Sequence, residues 1–223
     1  MPHAAMAAPD GLSTEIATFS ERRSRSLYVA RRFAPYLTGS VLDVGCYEAP
    51  LREILKDVRY VGVDMAGKPD VTIDLDTGAA LPFADASFRT VICIEVLEHL
   101  EHLHAMFDEL VRVSAETIVV SLPNCWRDAR RPIERGRGHF AHYGLPAEAP
   151  TDRHRWFFSY GEAIEFVRAR AARHGLEVVE LFGTEMHRGG LLRAARRLRY
   201  PGMKYLNRYA QTLWAVLHKP GPR

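Results

Sequence analysis

No acidic residue follows Glu185 in this chain of 223 residues, whereas basic residues continue to the end. The formal net charge of +3 therefore conceals an acidic body and a basic tail, an asymmetry that points to an anionic partner for the tail. Cysteine is scarce. Cys46, Cys93 and Cys125 stand far apart, with no Cys-x-x-Cys pair and no histidine at ligand spacing. Neither a disulfide framework nor a zinc cage is legible, no metal ligand is assigned, and a reducing cytoplasm is the expected location. No stretch approaches the roughly 20 apolar residues that a bilayer span requires, and the N-terminus lacks a basic start followed by an apolar run. Neither a span nor a signal peptide is expected. The 47% of hydrophobic residues is enough for an ordinary core, which excludes a disordered chain and a collagen-like one.

What is present is an alternation of short β-rich runs with helical stretches. Apolar residues from Ser13 to Leu37, including Ile16, Phe19, Leu27 and Phe33, predict an N-terminal helical segment over 1–39 that ends near Pro35. From residue 40 onward the alternation reads Ser40–Val44, a helix over Leu51–Lys56, Tyr60–Asp64, Val71–Leu75, Thr90–Glu95, a helix over His102–Val113, and Thr117–Leu122. Runs such as Ile92-Cys93-Ile94 and Ile118-Val119-Val120 are apolar at every position, as expected for parallel strands covered on both faces. An insert at 124–155, rich in arginine, proline and glycine, breaks the rhythm. A helix over Tyr160–His174, a strand over Leu176–Phe182, a basic helical insert at 187–208 and a last strand over Thr212–Leu217 complete the chain.

The turn Asp43-Val44-Gly45-Cys46-Tyr47-Glu48-Ala49-Pro50 and the strand end Val61-Gly62-Val63-Asp64 carry the chemical signal. In an open α/β sheet both positions border the crevice beyond the strands' carboxyl ends, and an acid about 20 residues after the first glycine is placed to accept ribose hydroxyls. Asp64 fits that role. A dinucleotide turn needs three glycines for its pyrophosphate, but only Gly45 is present, so a cofactor without phosphates and with cationic groups suits nearby acids such as Asp43 better.

These segments resemble the class I S-adenosylmethionine-dependent methyltransferases, whose first motif is Asp-x-Gly-x-Gly-x-Gly. Asp43 to Cys46 resembles that motif, and Val61 to Asp64 resembles the ribose-binding strand end. Asp74-Leu75, Glu95-Val96-Leu97-Glu98-His99-Leu100 and Ser121-Leu122-Pro123-Asn124 are similar to later blocks in the family's order. Tyr47 and Ala49 depart from the pattern, replacing its second and third glycines. The resemblance implies a Rossmann-like, mostly parallel seven-stranded sheet with an antiparallel last strand and helices on both faces, in a domain spanning 40–223. It also implies S-adenosyl-L-methionine as cofactor. Asp43, Gly45, Cys46 and Tyr47 would line its methionine end, Asp64 with Met65 its ribose, Asp74 and Leu75 its adenine, and Glu95 and Val96 the region of the methyl group.

For the acceptor the reading is a small molecule or a saccharide, methylated most readily on oxygen. His99, after the fourth expected strand, and His154, in Thr151-Asp152-Arg153-His154-Arg155-Trp156, are the candidate catalytic bases, with His139 and His142 weaker. Trp126, Trp156 and Phe157 are candidates for an aromatic wall, whereas Glu98, Glu101 and Asp108 read as a solvated helix face. The basic segment 188–208 would permit peripheral contact with a membrane, and without interleaved aromatics or a recognised module no nucleic acid is expected. A non-catalytic binding or scaffold protein and a membrane-recruited lipid or quinone methyltransferase are the alternatives. The oligomeric state is not legible.

Overall fold

Val41, Ile92, Val119, Trp214 and Val216 pack into one apolar layer, and their neighbours Leu42, Val91, Ile118, Leu213 and Ala215 into another. That alternation is the two-residue period of strands covered on both faces. In the computed structural model, which describes residues 10–140, 142–150 and 152–221, these strands belong to one sheet. The strands are β1 (Thr14–Ile16), β2 (Ser40–Val44), β3 (Arg59–Asp64), β4 (Val71–Thr72), β5 (Phe88–Ile94), β6 (Ser114–Pro123), β7 (Glu177–Glu185) and β8 (Ala210–His218). The helices are α1 (Arg22–Arg32), α2 (Pro50–Ile54), α3 (Leu103–Val113), α4 (Cys125–Arg135), α5 (Tyr160–Arg173), α6 (Gly190–Arg199) and α7 (Met203–Tyr209).

The strand order is β1-β7-β8-β6-β5-β2-β3-β4. Only β8 runs against its neighbours, β6 and β7, and the other pairings are parallel. The chain proceeds from β2 outward through β3 and β4, then returns to place β5 on the other side of β2. That reversal opens a crevice beyond the carboxyl ends of β2 and β5, where the segments beginning at Gly45 and Glu95 lie side by side.

The sheet has eight strands among the described residues rather than the expected seven. The helix expected from Ser13 begins only at Arg22, after a capping box formed by Glu21 and Ser24. Thr14–Ile16 instead pairs with Gly183–Glu185, while Phe19 packs on Tyr28 and Trp214. The spacing of Ile16 and Phe19 imitates a helical period, but each residue meets the protein through a different element. Residues 1–9, read above for a leader, lie outside the described residues.

Asn124 explains why the arginine-rich insert begins with a helix. Its side-chain oxygen caps α4 by accepting from Arg127 N, and its Nδ2 donates to the carbonyls of Leu206 (2.9 Å), Asn207 (3.2 Å) and Ala210 (2.9 Å). One fully buried amide therefore ties α4 to α7 and β8. Asn124→Ala is expected to lower the unfolding free energy by about 2–4 kcal/mol, because it removes a cap and the side-chain donor shared by three carbonyls at a buried position. Urea unfolding followed by circular dichroism measures this. Asn124→Asp should also destabilise, since a carboxylate cannot donate to those carbonyls.

Candidate functional site

The turn after β2 is defined by backbone conformation. Gly45, Tyr47 and Ala49 have φ of 83°, 48° and 50°, so alternate residues are left-handed although two of them carry side chains. A non-glycine residue in that region costs about 1–2 kcal/mol and persists only where its surroundings hold it. Here the holding comes from β3. Gly45 N and Cys46 N donate to Val63 O at 2.8 and 3.2 Å, and Tyr47 N donates to Asp64 Oδ2 at 2.8 Å. Tyr47 O in turn accepts from Lys68 N at 2.7 Å. The Tyr47 ring is exposed and lies 4.5 Å beneath the Arg22 guanidinium.

Around this turn the acids divide by environment. Asp43 is buried and accepts from Tyr60 Oη at 2.6 Å. Burial, opposed by that hydrogen bond and reinforced by the charge of Asp64, raises its pKa to about 6. Asp64 also accepts from Ala66 N at 3.1 Å, and its backbone carbonyl takes Ile73 N at 3.0 Å, which brings the Asp74–Leu75 segment beside it. Asp74 caps a short 3-10 turn over Leu75–Thr77, Leu75 is buried, and Met65 is exposed. The Cys46 thiol is raised to about 12, chiefly by burial and then by Asp43, and is correspondingly inert. Val96 closes on Gly45 so tightly that a Cβ there would lie 2.2 Å from Val96 Cγ2.

Beyond β5 the chain turns sharply. Glu95 has a φ of 51°, its amide donates to Ser121 Oγ at 3.1 Å, and its carboxylate accepts from Thr212 Oγ1 at 2.8 Å and from Arg25. A 3-10 turn over Leu97–His99 follows. That turn directs Glu98 inward, so the residue read as part of a solvated face is 1% exposed, and burial pushes its pKa far above the carboxylate range. Glu101 is exposed as expected, whereas Asp108 is half-buried and pairs with Arg170 and His174.

His99 and His154 come together with ring centroids 4.5 Å apart, and His142 stacks on His154 at 4.2 Å. His99 Nδ1 lies 3.0 Å from Asp152 Oδ1 and 3.2 Å from the carbonyl of Arg153. His154 Nδ1 meets Tyr143 Oη at 2.8 Å. Burial lowers both imidazole pKa values, that of His154 to about 3 with help from His99 and His142, so both rings are neutral near pH 7. A cavity of about 400 Å³ is bordered by these histidines, by Glu95 and Glu98, and by Arg25 and Thr212. Asp152, Tyr143, Arg25 and Thr212 were missed by the sequence reading, because nothing in their local spacing marks them.

A larger cavity of about 590 Å³ lies elsewhere, between α4 and α7, with Trp126, Ile133, Phe157 and Tyr200 on its walls. It contains none of the residues assigned to the cofactor or to proton transfer. Trp156 is not part of that wall: its Nε1 donates to Leu100 O at 2.7 Å and its ring meets His104. The basic α6 turns partly inward, since Arg193 and Arg197 bind the buried carboxylate of Glu185, while Leu191 and Leu198 are exposed. Among the described residues, no helix is long and apolar enough to cross a membrane.

With this geometry in place, comparison with known proteins gives a consistent class. A family model described as a methyltransferase domain matches residues 10–181, and the chain belongs to that methyltransferase family. The cofactor that goes with this membership is S-adenosyl-L-methionine. No curated protein matches the sequence. Solved structures similar in fold include a small RNA methyltransferase, with a TM-score of 0.60 and 16% identity, covering 94% of this chain and 27% of that one. Thus the chain spans about a quarter of the length of that protein. A methyltransferase from Archaeoglobus fulgidus has a TM-score of 0.58 and 18% identity, covering 90% of this chain and 96% of that one. Magnesium protoporphyrin IX methyltransferase from Synechocystis PCC 6803, solved with bound S-adenosylhomocysteine, has a TM-score of 0.53 and 18% identity over 87% of this chain and 82% of that one. At such identities the likeness is one of fold, and the Rossmann-like sheet expected from the sequence is the sheet found.

The residues fit that cofactor. All three glycine positions of the motif keep left-handed backbone, the Tyr47 ring is exposed beside Arg22, and Asp43 and Asp64 set two carboxylates, the charge that suits a cationic group, beside the turn. Gly45→Ala is expected to destabilise by about 2–4 kcal/mol, combining left-handed strain with overpacking against Val96. Tyr47→Gly, at a residue already left-handed with its ring outside, should change stability by no more than about 1 kcal/mol. Urea unfolding of the two variants measures the contrast, and equal losses would contradict the strain assigned to the turn.

Proposed function

We propose that the protein transfers a methyl group from S-adenosyl-L-methionine to an oxygen of a small-molecule or saccharide acceptor. The observation that carries this reading is the cavity of about 400 Å³, which borders Glu95 at the end of β5 and holds two neutral imidazoles. The cofactor supplies a methyl group activated by a positively charged sulfur. On this reading Asp64 accepts the ribose hydroxyls, Asp43 and the Gly45–Tyr47 backbone hold the methionine end, Asp74 and Leu75 border the adenine, and Glu95 and Val96 flank the methyl group. In-line transfer depends largely on positioning the acceptor and excluding water.

The histidines suit an oxygen acceptor because they are neutral and accept hydrogen bonds near pH 7. His154, with a pKa of about 3, is too weak a base to take a proton alone, so orienting the acceptor hydroxyl is its more effective role. His99, backed by Asp152, is the better proton acceptor. Arginines on α4 and the polar cavity lining favour a polyhydroxylated or anionic acceptor over an apolar one.

Calorimetry with S-adenosylmethionine and S-adenosylhomocysteine tests the reading. Both should bind, and Asp64→Ala should weaken binding at least about tenfold, the equivalent of one lost charge-assisted hydrogen bond. Asp43 must be ionised to pair with the cofactor's ammonium group. Affinity should therefore rise as pH increases from 5 through 6 to 7, and Asp43→Asn should flatten that dependence. Absence of binding by either compound at high micromolar concentration would favour the scaffold alternative over the enzyme.

A further inference from the structure

Glu98, His99 and His154 place one ligating atom each within 4.8 Å of one another. They come from segments 55 residues apart that are joined by a hydrogen bond from Arg155 N to Glu98 O at 2.8 Å. The orientation of each ring is fixed from behind. His99 Nδ1 is engaged by Asp152 Oδ1 and the Arg153 carbonyl, and its Nε2 lies 3.8 Å from Glu98 Oε1. His154 Nδ1 is engaged by Tyr143 Oη, which leaves its Nε2 as the remaining polar atom. A carboxylate or hydroxyl behind Nδ1 is the arrangement that presents Nε2 as a ligand to a cation. Glu98 supplies an independent observation: it is 1% exposed, and its Oε2 is buried without a hydrogen-bond partner. A cation that takes the place of the acid's proton would satisfy that oxygen and keep Glu98 ionised, and His99 and His154 are the side chains that bring further ligating atoms to the same point.

We propose that Glu98, His99 and His154 form a site for one divalent transition cation, of the Mn2+, Fe2+, Co2+ or Zn2+ class, at the wall of the acceptor cavity. Two imidazoles and one carboxylate favour ions of that class over Mg2+ or Ca2+, which take oxygen ligands. Three protein ligands leave coordination positions open, and the same three residues border the cavity of about 400 Å³. An acceptor hydroxyl is the ligand those positions suit. That last step rests on the proposed oxygen methylation, whereas cation binding does not. Arg25, paired with Glu95 next to the cluster, keeps that second carboxylate occupied.

The test uses the full chain, stripped with a chelator and titrated with Co2+ alone, read by visible absorption and calorimetry. One Co2+ should bind per chain, with a spectrum of mixed nitrogen and oxygen ligation, and Zn2+ should displace it. Asp152→Asn should weaken Co2+ binding by about 10–100-fold, the usual effect of losing a partner behind a ligating imidazole. Glu98→Gln, His99→Gln and His154→Gln should weaken it further. His99 is partly exposed, so its variant keeps the test valid if the substitution at buried Glu98 prevents folding. Calorimetry with S-adenosylhomocysteine on the same samples separates the two readings. Intact cofactor binding without stoichiometric Co2+ binding would overturn the metal site and leave the proposed function standing. Co2+ binding that changes less than about threefold in all four variants would overturn it as well, since the ion would then sit elsewhere.

Discussion

The site depends on the hydrogen bonds that fasten the turn after β2 to the end of β3. Val63 O receives two amides and Asp64 a third, Cys46 O receives the amide of Ala49, and these bonds keep Tyr47 and Ala49 in a conformation that neither side chain favours. Because the turn is pinned there, Asp64 lies between the turn and the segment leading to Asp74, and Val96 can close against the bare α-carbon of Gly45. The glycine pattern of the family is thus preserved as backbone shape where it is lost as sequence. Local strain at such a place is stabilised by the sheet around it and is concentrated where ligands are held.

The second constraint is charge. The basic tail looked like a surface awaiting an anion, but part of its charge is answered within the fold. Glu185, the last acid of the chain, is buried and accepts from Thr14, Tyr205, Arg193 and Arg197, and those hydrogen bonds outweigh burial to keep its pKa low. Other arginines lie over rings: Arg196 over Tyr209, and Arg199 and Arg208 over Tyr200. The exposed feature of α6 is therefore as much its leucines as its charge. Elsewhere, Glu98 and the histidines form a partly buried polar group whose members come together only in the folded chain.

The alternation of strands and helices was legible because parallel strands buried on both faces read as unbroken apolar runs, as at Ile92–Ile94 and Ile118–Val120. The place of the turn after β2 was legible for a similar reason, since Asp43, Gly45 and Asp64 occupy fixed offsets from strand ends. Three features were not. β1 is only three residues long and is defined by its pairing to β7, so its apolar residues passed for a helix face. α4 contains Pro132 among arginines, and what sets its start is the contact of Asn124 with α7, a distant segment. Glu98 read as solvated because an acid beside a histidine at a helix start ordinarily is, and only the tight 3-10 turn sends it inward. His99 and His154 were each picked out alone, but their proximity to each other, to Glu98 and to Asp152 is a product of the long insert folding back.

On the proposed function, the pinned turn after β2 and the Glu95–His99 segment together form one reaction site. A crystal structure with S-adenosylhomocysteine bound tests it most directly. The ribose should lie against Asp64 and the sulfur beside the Gly45–Val96 contact with its open side toward His99 and His154, with positive φ retained at Tyr47 and Ala49. Cofactor bound away from that crevice, or a turn that refolds to negative φ to admit it, would contradict the account.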